Sequence, residues 1–266
     1  MFTLEKFMDK RVLKSSFLED ENGLIAFFTT RDLPLKAGER EDLIEQVEEN
    51  KKFLCKCLDI PEENLFIPEQ THSDNVIVVN GKRETVNREV QETISSRFTL
   101  HPSPFEDTDA LITNQQKIAI ALNFADCVPI ILYDPIKKVV AIAHAGWKGT
   151  ASSIARKTVE KMKKEFLINP KDIIALIGPA IGKCCFEVKN DVAQKLLQTI
   201  DLSEHGAVYY NEHIDLKLVN KIQLLSSGVE KIDVCEYCTC CNVDLLFSYR
   251  KENGNTARHS AVVMLK

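Results

Sequence analysis

A five-residue gap between two apolar runs constrains the fold of this chain more than any other feature. Val128-Pro129-Ile130-Ile131-Leu132-Tyr133 is rich in β-branched residues. Asp134-Pro135-Ile136-Lys137-Lys138 has turn chemistry, and Val139-Val140-Ala141-Ile142-Ala143 resumes the apolar pattern. The gap leaves no room for a crossover helix, so the two runs pair as an antiparallel hairpin. Helical periodicity surrounds the hairpin. Leu43, Ile44, Val47 and Leu54 recur in residues 39–58, and Ile154, Thr158, Val159, Met162 and Phe166 follow the hairpin. Val192, Leu196, Leu197 and Ile200 predict another helix, and Ile214, Leu218, Ile222 and Leu225 a fourth closed by Gly228. Further strands are predicted at residues 23–30, 75–79, 108–113, 118–123, 173–177, 232–235 and 259–265, with a long irregular stretch at 82–105. Helices interleaved with a hairpin-containing sheet predict an α/β (α+β) sandwich with a mixed sheet, not a purely parallel one. No linker or repeat divides residues 1–266, which predicts a single domain.

The composition narrows the function classes. With 266 residues, 44% of them hydrophobic, the chain can bury a large core. A net charge of -5 argues against broad attraction to nucleic acid or membrane surfaces. No apolar run reaches the roughly 18 residues of a membrane helix, and Met1-Phe2-Thr3-Leu4-Glu5-Lys6 begins no secretory segment. Nine cysteines are an odd number, and several lie inside apolar runs or side by side. They read as reduced thiols of a cytoplasmic protein, not as a disulfide framework.

Three potential ligands end apolar segments: His72 in Gln70-Thr71-His72, Cys127 in Ala125-Asp126-Cys127, and His144 in His144-Ala145-Gly146-Trp147-Lys148-Gly149. Imidazole and thiolate suit zinc, and three protein ligands leave a fourth position open for catalysis. If Tyr133 faces Val139, Cys127 falls opposite Ala145, one position from His144, within cross-strand reach. Nothing local brings His72 there. The Ala145–Thr150 loop reads equally as an anion-binding helix start or a tight turn packed by Trp147, and it lacks the Walker A spacing. Cys235-x-x-Cys238-x-Cys240-Cys241 has the look of a zinc knuckle without a clear second half. Cys184-Cys185 could supply one; ordinary thiols are the preferred reading, a structural metal the minority one, and about one zinc per chain the expectation. Arg31, Arg250 and Arg258 sit at the edges of apolar segments, suited either to surface carboxylates or to the forked grip of a phosphate.

Seven motifs then occur in order: Phe28-Thr29-Thr30-Arg31, Gln70-Thr71-His72, Thr108-Asp109-Ala110-Leu111-Ile112-Thr113, Ala125-Asp126-Cys127-Val128-Pro129, His144-Ala145-Gly146-Trp147-Lys148-Gly149, Ile177-Gly178-Pro179-Ala180-Ile181-Gly182 and Phe247-Ser248-Tyr249-Arg250. With them the chain resembles the YfiH-type family, labelled laccase-domain or polyphenol oxidase and regarded as purine nucleoside phosphorylases. The resemblance implies a single-domain α/β sandwich and a zinc ion on His72, Cys127 and His144. It also implies phosphorolysis of adenosine, inosine, guanosine and S-methyl-5'-thioadenosine, together with adenosine deamination. In that scheme Arg31, Lys148 and Arg258 hold phosphate, and Asp109 or Asp126 orients a ligand histidine or moves a proton. The partners are then small nucleosides and phosphate. Two departures bear on substrate entry and the phosphate grip. Asp32-Leu33-Pro34-Leu35 replaces the family's Gly-Gly-Val-Ser, and Thr256-Ala257-Arg258 replaces Thr-Gly-Arg. Six histidines without a His-x-His pair argue against a copper-dependent polyphenol oxidase. The alternatives are a cysteine hydrolase acting on a peptidoglycan-precursor amide, with Cys127 as nucleophile and His144 as base, and a non-catalytic zinc-binding protein.

Overall fold

The predicted hairpin forms the middle of a six-stranded sheet. The computed structural model describes residues 1–80 and 106–266, so the irregular stretch expected at 82–105 lies outside the described residues. Strand order in this sheet is Lys231–Val234, Ile174–Ile177, Val128–Asp134, Val139–Ala145, Ala110–Thr113 and Val76–Val78. The two outermost pairs are parallel and the three inner pairs antiparallel. A second six-stranded sheet runs Phe2–Phe7, Lys10–Ser15, Leu24–Thr29, His259–Leu265, Ala119–Phe124 and Leu65–Phe66. It is antiparallel except for the last pair. The sequence pattern does not predict its N-terminal hairpin, because no residue of the edge strand Phe2-Thr3-Leu4-Glu5-Lys6-Phe7 is fully buried and its hydropathy alternates weakly.

The pleat sorts side chains between layers. In Val128–Asp134, Val128, Ile130 and Leu132 join the core under the helices, whereas Ile131 and Tyr133 join the core between the sheets. Helices Ile154–Phe166, Asn190–Leu197 and Leu216–Ser226 cover the outer face of the hairpin sheet, and Ile44–Leu58 covers that of the other. The result is helix, sheet, sheet, helix: a mixed-sheet α/β sandwich. Because both faces of each central strand are covered, these strands read as unbroken apolar runs.

Two helices bury part of the face their apolar residues predict, Val47 and Leu54 in one and Ile214 leading into the other, but leave Ile44 and Leu225 exposed and bury polar residues instead. In Ile44–Leu58, Ile44 is 53% exposed, while Val47, Asn50, Leu54, Cys55 and Leu58 are buried. Asn50 points inward because its amide donates to the Pro34 carbonyl at 2.9 Å. In Leu216–Ser226 the buried residues include Asn220 and Gln223, and Leu225 is 47% exposed. The amides turn inward because they have partners: Asn220 Nδ2 donates to Thr150 Oγ1 at 2.9 Å and Gln223 Nε2 to the Thr150 carbonyl at 3.0 Å. Buried polar groups need such partners. These bonds fasten the helix Trp147–Ala151, which carries Lys148, to the body of the fold. No helix among the described residues is long and apolar enough to cross a membrane.

Candidate metal centre

The hairpin register differs by one residue from the expected one. Asp134 pairs with Val139, Tyr133 with Val140 and Val128 with Ala145. Extended by one pair, this register sets Cys127 across from Gly146. Cys127, Gly146 and His144 then share one face of the ladder, with Cys127 and His144 as diagonal neighbours. The expected register would have turned Cys127 and His144 to opposite faces. Gly146 supplies the room: a Cβ there would lie 2.8 Å from Cys127 Sγ and 2.9 Å from His72 Cδ2.

His72 arrives from the loop before Val76–Val78, in a left-handed backbone conformation with φ 63°. Asp109, fully buried, fixes that loop. Its Oδ2 accepts hydrogen bonds from the N–H of Thr71 at 3.2 Å, and from the N–H and hydroxyl of Ser73 at 2.6 and 2.8 Å. Its Oδ1 lies 2.6 Å from His144 Nδ1. One carboxylate therefore positions both histidines, and with Nδ1 of His144 held it leaves Nε2 to face Cys127. Gln70 adds a second anchor, donating to the Asn123 carbonyl at 2.9 Å and accepting from the Asn123 N–H at 2.8 Å.

The three ligand atoms lie within 4.8 Å of one another. His72 Nε2 is 3.7 Å from Cys127 Sγ, and the two imidazole rings meet edge to face at 4.8 Å. Metal bonds of about 2.0–2.3 Å require ligand separations of this order. The set fits a tetrahedral ion with one open position. Burial pushes the Cys127 thiol up, but the His144 charge and hydrogen bonds from both histidines outweigh it and bring the thiol down to about 6. Burial likewise opposes charging of His144, yet the Cys127 thiolate and the Asp109 carboxylate raise it to about 9. Burial also opposes ionisation of Asp109, and the donors from His144 and Ser73 hold it below the usual carboxylate range.

These shifts predict a pH profile for the metal-free protein. The thiolate is the nucleophile, and an ordinary thiol ionises near ~8.5. Iodoacetamide labelling of Cys127, read by peptide mass spectrometry, should persist down to pH about 6 and fall below it. Bound metal should suppress it. A labelling midpoint above pH ~8 would rule out the thiolate–imidazolium pair.

A pocket of about 550 Å³ opens beside the triad. Trp147, Ile181, Phe186 and Tyr249 give it apolar surface, Gln70 and Asn123 contribute amides, and Lys36, Lys148, Arg250 and Arg258 contribute cations. Lys148 stands free of any ion pair among the described residues, 5.8 Å from the Trp147 ring centre. Arg258 lines the wall while its Nη2 contacts Glu39 at 3.0 Å. Asp126 also lines the pocket, but its carboxylate accepts from Thr239 Oγ1 and the Arg250 N–H, both at 2.6 Å. Of the two candidate aspartates, Asp109 contacts a ligand histidine and Asp126 does not. Arg31 lies outside the lining of this pocket. Its guanidinium bonds the Leu246 carbonyl at 3.0 Å and Glu252 at 2.8 Å, and it lies 4.4 Å from the Phe247 ring centre.

Lys36 and Asn123 escaped the sequence reading. Lys36 lies in no motif and reaches the pocket because its backbone bridges Arg258. Asn123 is the penultimate residue of the strand Ala119–Phe124 in the opposite sheet, and its buried Nδ2 has no hydrogen-bond partner among the described residues.

Residues 29–266 match the family described as multi-copper polyphenol oxidoreductase laccase. The chain belongs to this family. It is 32% identical to purine nucleoside phosphorylase YlmD of Bacillus subtilis over 226 residues, covering 83% of this chain and 77% of YlmD. It is 33% identical to adenosine deaminase RL5, from an unknown prokaryotic organism, over 211 residues, covering 77% of this chain and 76% of that protein. The crystal structure of the hypothetical protein YfiH from Bacillus licheniformis superposes with a TM-score of 0.82 at 30% identity, covering 100% of this chain and 99% of YfiH. The YfiH-type resemblance and the mixed α/β architecture expected from the sequence both hold. The copper chemistry in the family's description finds few ligands here. Of six histidines only His72 and His144 line the pocket among the described residues. His205 and His213 bond backbone carbonyls, His259 packs against Phe124, and His101 lies outside the described residues.

Proposed function

We propose that this protein is a zinc-dependent purine nucleoside phosphorylase that accepts adenosine, inosine, guanosine and S-methyl-5'-thioadenosine and also deaminates adenosine. The observation that carries this reading is the open His72–Cys127–His144 site beside a pocket that offers both apolar surface and a group of cations. Zinc held there would act as a Lewis acid and lower the pKa of a bound water. Asp109 holds the His144 tautomer and the His72 loop in place. Phe186 and Tyr249 offer rings for a base to pack against.

The phosphate grip falls to Lys36, Lys148 and Arg258. Desolvation and the neighbouring Arg258 charge hold the Lys36 ammonium below the ordinary lysine range. An anion between two such cations relieves their repulsion and gains charge-assisted hydrogen bonds. Such a contact is worth about 1.5–3 kcal/mol, or roughly one to two decades in rate. Arg258→Ala and Lys36→Ala should therefore slow phosphorolysis by about that factor and leave deamination much less affected, since deamination needs water and not phosphate. Arg31→Ala should not discriminate between the two reactions. The measurement is chromatography of adenine, inosine and hypoxanthine formed from adenosine with and without phosphate. Equal losses of both activities in Arg258→Ala would remove the assigned grip.

One observation favours a second reading. Cys127, His144 and Asp109 also form a thiolate–imidazolium–carboxylate series, the arrangement of a cysteine hydrolase. Rapid alkylation of Cys127 in zinc-loaded protein, with no purine product formed, would favour that reading over the phosphorylase.

A further inference from the structure

Away from the pocket triad, the described residues bring together one other group of metal-binding side chains: Cys184, Cys185, Cys238 and Cys241. The fold unites two segments far apart in sequence. Ile174–Ile177 and Lys231–Val234 pair in parallel, so both chains leave the sheet side by side in the same direction. The pairing continues past the strand ends: the Cys235 N–H donates to the Ile177 carbonyl at 2.8 Å and the Thr239 N–H to the Ala180 carbonyl at 3.1 Å. Each chain then turns and presents two cysteines to the other. The half-knuckle of the Cys235–Cys241 run thus acquires the second pair that sequence spacing alone did not provide.

The four sulfur atoms all lie within 4.8 Å of one another. Cys241 Sγ is 3.6 Å from Cys184 Sγ and 3.5 Å from Cys185 Sγ. These distances far exceed a disulfide bond of about 2.05 Å, and all nine cysteines are free. They approach the edge, about 3.8 Å, of a tetrahedron built on Zn–S bonds near 2.3 Å. The Gly182 N–H donates to Cys238 Sγ at 3.1 Å, a contact that favours a thiolate. A Cβ on Gly182 would come within 3.2 Å of Cys184 Sγ, so glycine lets the two turns close. Cys235 takes no part, being buried in the core between the sheets.

We propose that Cys184, Cys185, Cys238 and Cys241 bind a second, structural zinc ion that clamps two walls of the pocket together. Four thiolates close a tetrahedral site and leave no position for substrate, unlike the open site at His72, Cys127 and His144. One clamped segment carries Ile181 and Phe186, and the other carries Tyr249 and Arg250. Arg250 crosses between them, donating to the Cys185 and Glu187 carbonyls at 3.1 and 3.2 Å. Thr239, inside the Cys238–Cys241 turn, donates to Asp126, the neighbour of Cys127. The clamp therefore reaches the loop that delivers a ligand of the open site. It replaces the expectation of one zinc per chain with two, and it is independent of which substrate the pocket takes.

The test is cobalt titration of the full chain after removal of metal, with nine reduced thiols verified beforehand. The unmodified protein should bind about two equivalents, one of them with the strong sulfur-to-cobalt charge-transfer and tetrahedral ligand-field bands of a four-thiolate site. A His72→Ala/His144→Ala protein should keep one equivalent with those bands. Cys238→Ser/Cys241→Ser should lose the bands and retain the mixed nitrogen–sulfur site, whereas Cys235→Ser and Cys240→Ser should keep both ions. If the Cys238→Ser/Cys241→Ser protein does not fold, the double-histidine protein decides alone. Absence of four-thiolate bands in the double-histidine protein overturns the proposal, as does their loss in Cys235→Ser.

Discussion

A His144→Ala protein should contain one metal equivalent fewer than its parent and lose both phosphorolysis and deamination. Metal-assisted stabilisation of a transition state is worth several kcal/mol, so the loss should reach about three decades in rate or more. The substitution leaves the Asp109 carboxylate three donors, from Thr71 and Ser73, and removes one. Because Asp109 is fully buried, some stability goes with that donor. His72→Ala and Cys127→Ala test the same ion at less cost to the fold, since His72 is exposed and Cys127 is half-buried. Elemental analysis and product chromatography check all three proteins, with circular dichroism to establish folding. A Cys127→Ala protein with its full complement of metal would refute the ligand assignment.

Gly146→Ala should separate metal binding from folding. The Gly146 backbone, at φ -64° and ψ 174°, is open to alanine without strain, so the metal-free protein should unfold within a few degrees of its parent. The added methyl has nowhere to go on the other side. It meets Cys127 Sγ at 2.8 Å and His72 Cδ2 at 2.9 Å, and two ligands must move. Disturbing the surroundings of a metal site typically costs 10–100-fold in affinity, and displacing two ligands should cost about 100-fold or more. Competition with a chromophoric chelator measures it. An unchanged affinity would mean that Cys127 and His72 do not converge on one ion.

Much of the architecture was legible because the central strands and their covering helices carry strong periodic signals. The hairpin, the strand His259–Leu265 and the helix Ile154–Phe166 fall where their apolar residues place them. The misses share a cause. The edge strand Phe2–Phe7 carries little hydropathy to detect, and the buried faces of Ile44–Leu58 and Leu216–Ser226 are set by amides whose partners lie far away in sequence. Arg31 looked free to grip an anion because Glu252, its partner, is distant in the chain. Lys36 looked ordinary because the bridge that places it beside Arg258 is invisible locally.

By itself the sequence determined the donor chemistry and the layer pattern: two imidazoles and a thiol at the ends of apolar strands, a short-looped hairpin, and helices enough to cover a sheet. Those follow from residue type and local periodicity. Tertiary structure decided convergence. A register one residue away from the expected one turned Cys127 and His144 to the same side, Asp109 drew the His72 loop onto them, and the parallel pairing of Ile174–Ile177 with Lys231–Val234 joined two cysteine pairs from separate segments. Each depends on contacts between residues remote in the chain. A side-chain alternation of two per strand makes any such outcome turn on a single residue of register, which local pattern does not specify.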